Sequence, residues 1–175
     1  MVKKVYTEFV LLKAQQGDTE ALQELLNLIN DKLSLFAGKL LSDESLAQDA
    51  LQNALIAIAA GLKTLRSPRA FHTWIYRITS YKCHDQLRQL PINTDSDGLD
   101  ALPSTDDTEP SDTELDVRAA IQQLAHSDQA LVYLFYYEGF TVAEIADILK
   151  QSQGTLKSRL FHIRKKMQHL FGEQS

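Results

Sequence analysis

A chain of 175 residues, 44% of them hydrophobic, has enough apolar material for one medium domain or two small ones. The single cysteine, Cys83, excludes an intramolecular disulfide, and no Cys/His spacing suits a zinc site, so neither a metal nor a cofactor is expected. The formal net charge is −5 and no apolar run reaches the length of a membrane span, which predicts a soluble cytoplasmic protein with no membrane insertion.

From Val5 to Gln16, Phe9, Leu12 and their neighbours predict a short helix, ended by Gly17, with Asp18 as N-cap for the next. That second helix carries Ala21, Leu22, Leu25, Leu28, Ile29, Leu33, Phe36 and Leu40 at helical period and runs to about Leu41. Ser42-Asp43-Glu44 breaks it and caps a third, Ser45 to Leu62, rich in alanine and almost uncharged. Its stripe is Ala47, Leu51, Ala54, Ile58 and Leu62, with Gln48, Gln52 and Asn53 elsewhere, and such a helix is buried on more than one side or docks a partner. A basic loop follows, Lys63 to Ala70, with Pro68 suited to a first helical turn. The fourth helix, to about Leu90, interleaves Phe71, Trp74, Ile75, Ile78, Tyr81 and Leu87 with His72, Tyr76, Arg77, Lys82, His84 and Arg88. Aromatic and basic side chains on one helix suit stacking on unpaired bases beside a phosphate backbone, although Trp74 and Ile78 read first as core.

Between Asn93 and Glu114 there are eight acidic residues, no basic ones, and Pro103 and Pro110; this composition is that of a flexible linker. Without those acids the basic residues outnumber the acidic ones, so the net charge does not oppose a nucleic-acid partner. Four helices are expected beyond the linker. Leu115 to Ala125 carries Leu115, Val117, Ile121 and Leu124; Ser127 caps a second helix, with Leu131, Leu134 and Phe135, that stops at Glu138-Gly139. Thr141-Val142-Ala143-Glu144 has capping-box spacing and opens a third, with Val142, Ile145 and Leu149 inward. Lys150 to Gln153 turn the chain, and Ser152 caps the last helix, whose stripe is Leu156, Leu160, Ile163, Met167 and Leu170. Between Lys150 and Leu170 there are six Lys or Arg and no acid. A capped helix, a turn and a basic amphipathic helix make a helix-turn-helix. At about 100° per residue, Ser158, Phe161, His162 and Lys165 lie opposite the stripe; Lys157 and Arg164 flank it on one side, Thr155, Arg159 and Lys166 on the other. Thr155, Lys157, Ser158, Arg159 and His162 are the candidates for base or phosphate contacts, and Lys165 and Lys166 for phosphates farther along.

Two segments resemble one family. The stretch from Leu124 through Glu138-Gly139-Phe140-Thr141-Val142-Ala143-Glu144-Ile145-Ala146 to Ser152-Gln153-Gly154-Thr155-Leu156-Lys157-Ser158-Arg159-Leu160 resembles region 4 of bacterial sigma factors. Gln16-Gly17-Asp18-Thr19-Glu20-Ala21-Leu22, Asp49-Ala50-Leu51-Gln52, and Phe71-His72-Thr73-Trp74-Ile75-Tyr76-Arg77-Ile78 followed by Asp85 and Arg88 resemble region 2. The whole is similar to an extracytoplasmic-function (ECF) sigma factor of the sigma-70 family. The expected fold is therefore all-α: a region 2 domain over residues 1–92, the acidic linker over 93–114 and a region 4 domain with the helix-turn-helix over 115–175.

The resemblance implies that region 2 docks the β′ coiled coil of core RNA polymerase through Asp49, Gln52 and Asn53. It places the −10 element on the Leu65–Ala70 loop and the next helix, with Arg66, Arg69, Arg77, Lys82 and Arg88 as contacts. It implies that region 4 binds the β flap and reads the −35 element of promoter DNA through Thr155, Lys157, Ser158, Arg159, His162, Lys165 and Lys166. An anti-sigma factor is a further expected partner, and a small-molecule substrate is not. Asn53 stands where the family usually has an acid, Tyr81 replaces a frequent asparagine, Ala125 a frequent proline and Gln129 a common arginine. An enzyme is not expected, since the five histidines are scattered and no phosphate loop or paired carboxylates appear. The alternatives are a stand-alone helix-turn-helix regulator and a sigma-like decoy that binds an anti-sigma factor.

Overall fold

A computed structural model describes residues 2–89 and 118–172, with side chains over 5–89 and 118–168. The acidic segment 93–114, the expected helix start at Leu115 and Val117, the expected helix end at Leu90 and the side chain of Leu170 lie outside the described residues. The chain forms two compact units, Met1–Pro91 and Ile92–Ser175, and every described element is helical.

In the first unit α1 (Val2–Gln15), α2 (Thr19–Leu40), α3 (Glu44–Gly61) and α4 (Phe71–Gln89) form a bundle, with short 3₁₀ turns at Leu62–Thr64 and Pro68–Ala70. α1 packs on α2, α2 on α3 and α4, and α3 on α4. Local chemistry sets the breaks. Gly17 takes φ +97°, a value a side chain would strain; Asp18 then accepts from the Ala21 amide, and Asp43 from that of Leu46, each at 3.0 Å. Leu11, Leu25, Leu33, Phe36, Ile58, Leu62 and Tyr76 fill the core, where Phe36 meets Tyr76 edge to face at 5.1 Å. Small residues bring α3 and α4 together: Ala47 and Ala50 lie in one buried cluster with Cys83, Ala37 and Leu41. Burial pushes the Cys83 thiol up to about 12, so it packs as a small apolar group.

α1 differs from expectation in the face it buries. Val10, Leu11 and Ala14 point inward, whereas Phe9 and Leu12 are exposed, as are Leu28 and Leu35 of α2. With Phe9, Val10, Leu11 and Leu12 all apolar, the period alone does not select a face. α1 has a second task. The Gln15 amide donates to the carbonyls of Leu62 (3.0 Å) and Leu65 (2.8 Å), pinning the turn that precedes α4. Gln15→Leu keeps most of the volume and removes both donors, leaving the half-buried Leu65 carbonyl without this partner and the Leu62 carbonyl with only the Leu65 amide at 3.3 Å. A loss of about 1–3 kcal/mol is expected, read by urea unfolding through the fluorescence of Trp74, the single tryptophan; an unchanged midpoint would show that water replaces the amide at no cost.

In the second unit residues 118–122 are helical, followed by α5 (His126–Val132), a π turn (Tyr133–Tyr137), α6 (Val142–Leu149) and α7 (Gln153–Gly172). Leu124, Leu131, Leu134, Phe140, Ile145, Ile148, Leu156, Leu160 and Ile163 make the core. Ser127 does not cap α5. The first helical carbonyl is that of Ala125, which accepts from the amides of Asp128 (2.8 Å) and Gln129 (2.9 Å), so Ser127 falls inside the first turn. Gln129 is buried, and its amide donates to the Leu124 carbonyl at 2.9 Å, which satisfies a polar group the core would otherwise reject. α5 also does not run on as an α-helix to Glu138. The π turn inserts an extra residue, with the Glu138 amide bonded to the Tyr133 carbonyl at 3.1 Å. Tyr133 stays buried and stacks on Tyr137 at 6.0 Å, while Tyr136 and Tyr137 face outward.

Candidate nucleic-acid interface

The helix-turn-helix forms by the chemistry its sequence offers. Thr141 Oγ1 accepts from the Glu144 amide (3.3 Å) and Glu144 Oε2 from the Thr141 amide (2.8 Å), so the capping box is complete. Lys150 ends α6 in the left-handed region at φ +55°, and the Gln151 amide bonds back to the Ala146 carbonyl at 3.2 Å. Ser152 Oγ then accepts from the Thr155 amide at 3.1 Å and starts α7. Leu156, Leu160 and Ile163 are buried and Met167 is half-buried. The opposite face of α7 is consequently turned to solvent.

Of the seven residues expected to meet the −35 element, Ser158, His162 and Lys165 share that open face and Lys157 is exposed at its edge. Thr155 is exposed beside the cap, its hydroxyl 2.8 Å from that of Ser152. Lys166 is exposed, but its ammonium donates to the Gln123 carbonyl at 3.2 Å. Arg159 is different. Its Nε and Nη2 donate to Asp128 Oδ1 at 2.9 and 2.5 Å, and Nη1 donates to Gln151 Oε1 at 2.8 Å. Phe161 was not among the expected contacts, yet it is 63% exposed in the middle of the basic face, its ring edge to face with His162. An exposed phenyl among cations suits a thymine methyl or a sugar.

The first unit carries a second basic surface. Arg66 and Arg69 are exposed on either side of Pro68. On α4, Arg77, Tyr81, His84 and Arg88 are exposed at intervals of four, three and four, which aligns them on one stripe. Tyr81 has two cations near its ring, Lys82 Nζ and the Arg88 guanidinium, each 5.7 Å from its centre. Arg88 also pairs with Asp85 at 2.8 Å. His84 Nδ1 donates to the Ser80 carbonyl at 2.8 Å. Trp74 is half-buried against Gly61, where an added Cβ would sit 3.0 Å from the indole. Trp74 and Ile78 thus belong in part to the packing, and Tyr81 is the open aromatic of the stripe. A ring with cations near it is what a stacked base and its phosphates require.

Two further surfaces stand apart from these basic ones. On α3, Asp49, Gln52 and Asn53 are exposed as expected, and Ile56 extends the same face at 67% exposure. The spacing 49, 52, 53, 56 held that signal, but an isoleucine reads as core unless the opposite stripe is known to be full. In the second unit an open, mostly apolar groove of about 440 Å³ runs between Ile121, Val132, Tyr136, Tyr137, Ile163 and Met167. Arg164 closes one side by donating Nε to the Tyr136 hydroxyl at 3.0 Å. The π turn, which periodicity does not reveal, supplies two of the groove's tyrosines. Among the described residues no helix is long and apolar enough to cross a membrane.

A model of sigma-70 region 2 matches residues 31–90 and one of sigma-70 region 4 matches 114–167, together more than half of the chain. The ECF RNA polymerase sigma factor SigM of Mycobacterium tuberculosis is 28% identical over 156 residues, covering 89% of this chain and 80% of that protein. The RNA polymerase sigma-H factor of Pseudomonas aeruginosa is 29% identical over 167 residues, covering 87% and 86%. Among solved structures, the sigma factor RpoE in complex with the anti-sigma factor NepR from Bartonella quintana aligns with TM-score 0.68 at 21% identity, covering 86% of this chain and 96% of that one. CnrH in complex with the cytosolic domain of CnrY aligns with TM-score 0.61 at 19% identity, covering 96% and 98%. With region 2 and region 4 matched in order along one chain, and the helix-turn-helix formed where region 4 lies, the protein belongs to the sigma-70 family, in its ECF group.

Proposed function

We propose that this chain is the promoter-specificity subunit of a bacterial RNA polymerase, binding core enzyme and directing promoter recognition, DNA melting and initiation without catalysing a reaction itself. The observation that carries the reading is the pairing, in one chain, of a helix-turn-helix whose second helix opens a basic face with an α4 stripe of aromatic and basic side chains. The first suits duplex recognition and the second suits unpaired bases. In this reading Lys157, Ser158, Phe161, His162 and Lys165 face the −35 element. Arg66, Arg69, Arg77, Tyr81, Lys82 and Arg88 form the −10 surface, where stacking and phosphate contacts offset the few kcal/mol or so that a flipped base costs.

The α3 face of Asp49, Gln52, Asn53 and Ile56 is the surface for the β′ coiled coil, and the apolar groove of the second unit is the one for the β flap. Residues 93–114 serve as an acidic linker. The protein works in the cytoplasm, and an anti-sigma factor that covers these surfaces is its regulator, as the complexes of its structural neighbours suggest. Reconstitution with core polymerase on the promoter of its own operon tests the reading. Specific initiation that depends on the chain is expected. Failure to bind core, or binding without initiation on any promoter of a genomic screen, would overturn it; operator binding by the chain without polymerase would establish the stand-alone regulator instead.

A further inference from the structure

Arg159 lies one residue beyond Ser158 on the helix assigned to DNA, and its charge suggests a phosphate or guanine contact. The structure gives that guanidinium another occupation. All three of its nitrogens are bonded inside the unit: two to one carboxylate oxygen of Asp128, at 2.5 and 2.9 Å, and one to Gln151 at 2.8 Å. The Arg159 side chain is 21% exposed and that of Asp128 29%. Asp128 sits in the first turn of α5, where the free amides of the helix start favour its negative charge. Gln151 lies in the turn between α6 and α7. One side chain therefore ties together α5, the turn and the first half of α7.

We infer that Arg159, with Asp128 and Gln151, is a positioning residue that sets the rotation of α7 about its axis, and that it does not read promoter DNA. The inference rests on the assignment of α7 to the −35 element. The buried stripe of Leu156, Leu160 and Ile163 fixes which side of α7 faces inward, but apolar contacts are not directional. With side-chain tips about 5–6 Å from the helix axis, a rotation of 20° displaces each tip by about 2 Å. That is more than a hydrogen bond to a base edge tolerates. A directional ion pair on the flank of the helix, held from two other elements, removes this freedom.

The test uses the full chain bound to core polymerase, with promoter affinity measured over a range of salt on duplexes with an intact and a scrambled −35 element. Asp128→Ala and Arg159→Ala are each expected to reduce discrimination between the two duplexes by about tenfold, and the double variant to be no worse than either, because both break one unit. Neither changes the salt slope, since neither removes a phosphate contact. Lys157→Ala lowers that slope by about 0.9. Exchanging the charges, Asp128→Arg with Arg159→Asp, restores part of the discrimination. A lower slope in Arg159→Ala, with Asp128→Ala indistinguishable from the parent, would overturn the inference and return Arg159 to the DNA contacts. If Asp128→Ala fails to fold, Asp128→Asn replaces it; normal discrimination in that folded variant also overturns the inference. If Lys157→Ala and Lys165→Ala leave slope and discrimination untouched, the assignment of α7 to DNA fails, and the two failures are thereby told apart.

Discussion

Leu156→Ala is expected to abolish initiation at promoters that need a −35 element, with core polymerase still held through the α3 face but no longer through the second unit's groove. Leu156 is fully buried at the start of α7, beside Leu160 and Ile163. Truncation of a buried leucine costs about 2–5 kcal/mol. A helical unit this small has a total stability on the order of 3–5 kcal/mol, so the loss is comparable with everything that holds α7 in place. Circular dichroism should show an early transition for the second unit, while Trp74 fluorescence reports an unchanged first unit. A single shifted transition seen equally by both probes would show that the two units do not unfold separately and would remove the basis of the prediction.

The second large effect concerns α3. Ile56 is 67% exposed on the face that carries Asp49, Gln52 and Asn53, so Ile56→Arg should leave the folding stability within about 0.5 kcal/mol. If that face docks core polymerase, a buried cation replaces an apolar contact at the centre of the interface. A loss of core affinity of about 10–100-fold is expected, equivalent to about 1.4–2.8 kcal/mol. Competition against a labelled copy of the unaltered chain for core enzyme measures it. Affinity within twofold of the parent would place the docking surface elsewhere.

What the sequence made legible was local. Asp18, Asp43, Thr141 with Glu144, and Ser152 announce their helices because a cap and the amide it satisfies lie three residues apart. The stripe of α7 was legible for the same reason, each member one turn from the next. The misreadings share a different cause. Ser127 has the chemistry of a cap, but the chain enters its helix two residues earlier, at Ala125. Phe9 and Leu12 look like core until Val10, Leu11 and Ala14 are seen to have taken the inner face. The ion pair of Arg159 was equally hidden, because its partner, Asp128, lies 31 residues away, where no periodicity connects them. Charge alone marks a residue as polar and leaves open whether it faces a ligand or another part of the chain.

The two carbonyls held by Gln15 bear on where a minimal fragment of this protein ought to begin. The similarity to region 2 starts at residue 31, and a fragment cut there would still contain every side chain assigned to the −10 surface. It would nonetheless lack α1 and the first half of α2, with the buried Ala21, Leu25 and Ile29, and with α1 the amide that holds the carbonyls of Leu62 and Leu65. The turn before Arg66 would keep the buried Leu62 and its own Leu65–Leu62 hydrogen bond but lose its brace from α1. Such a fragment is expected to keep affinity for single-stranded DNA through its charge and to lose preference among sequences. Boundaries drawn from family resemblance therefore enclose the proposed reading surface while leaving its brace outside.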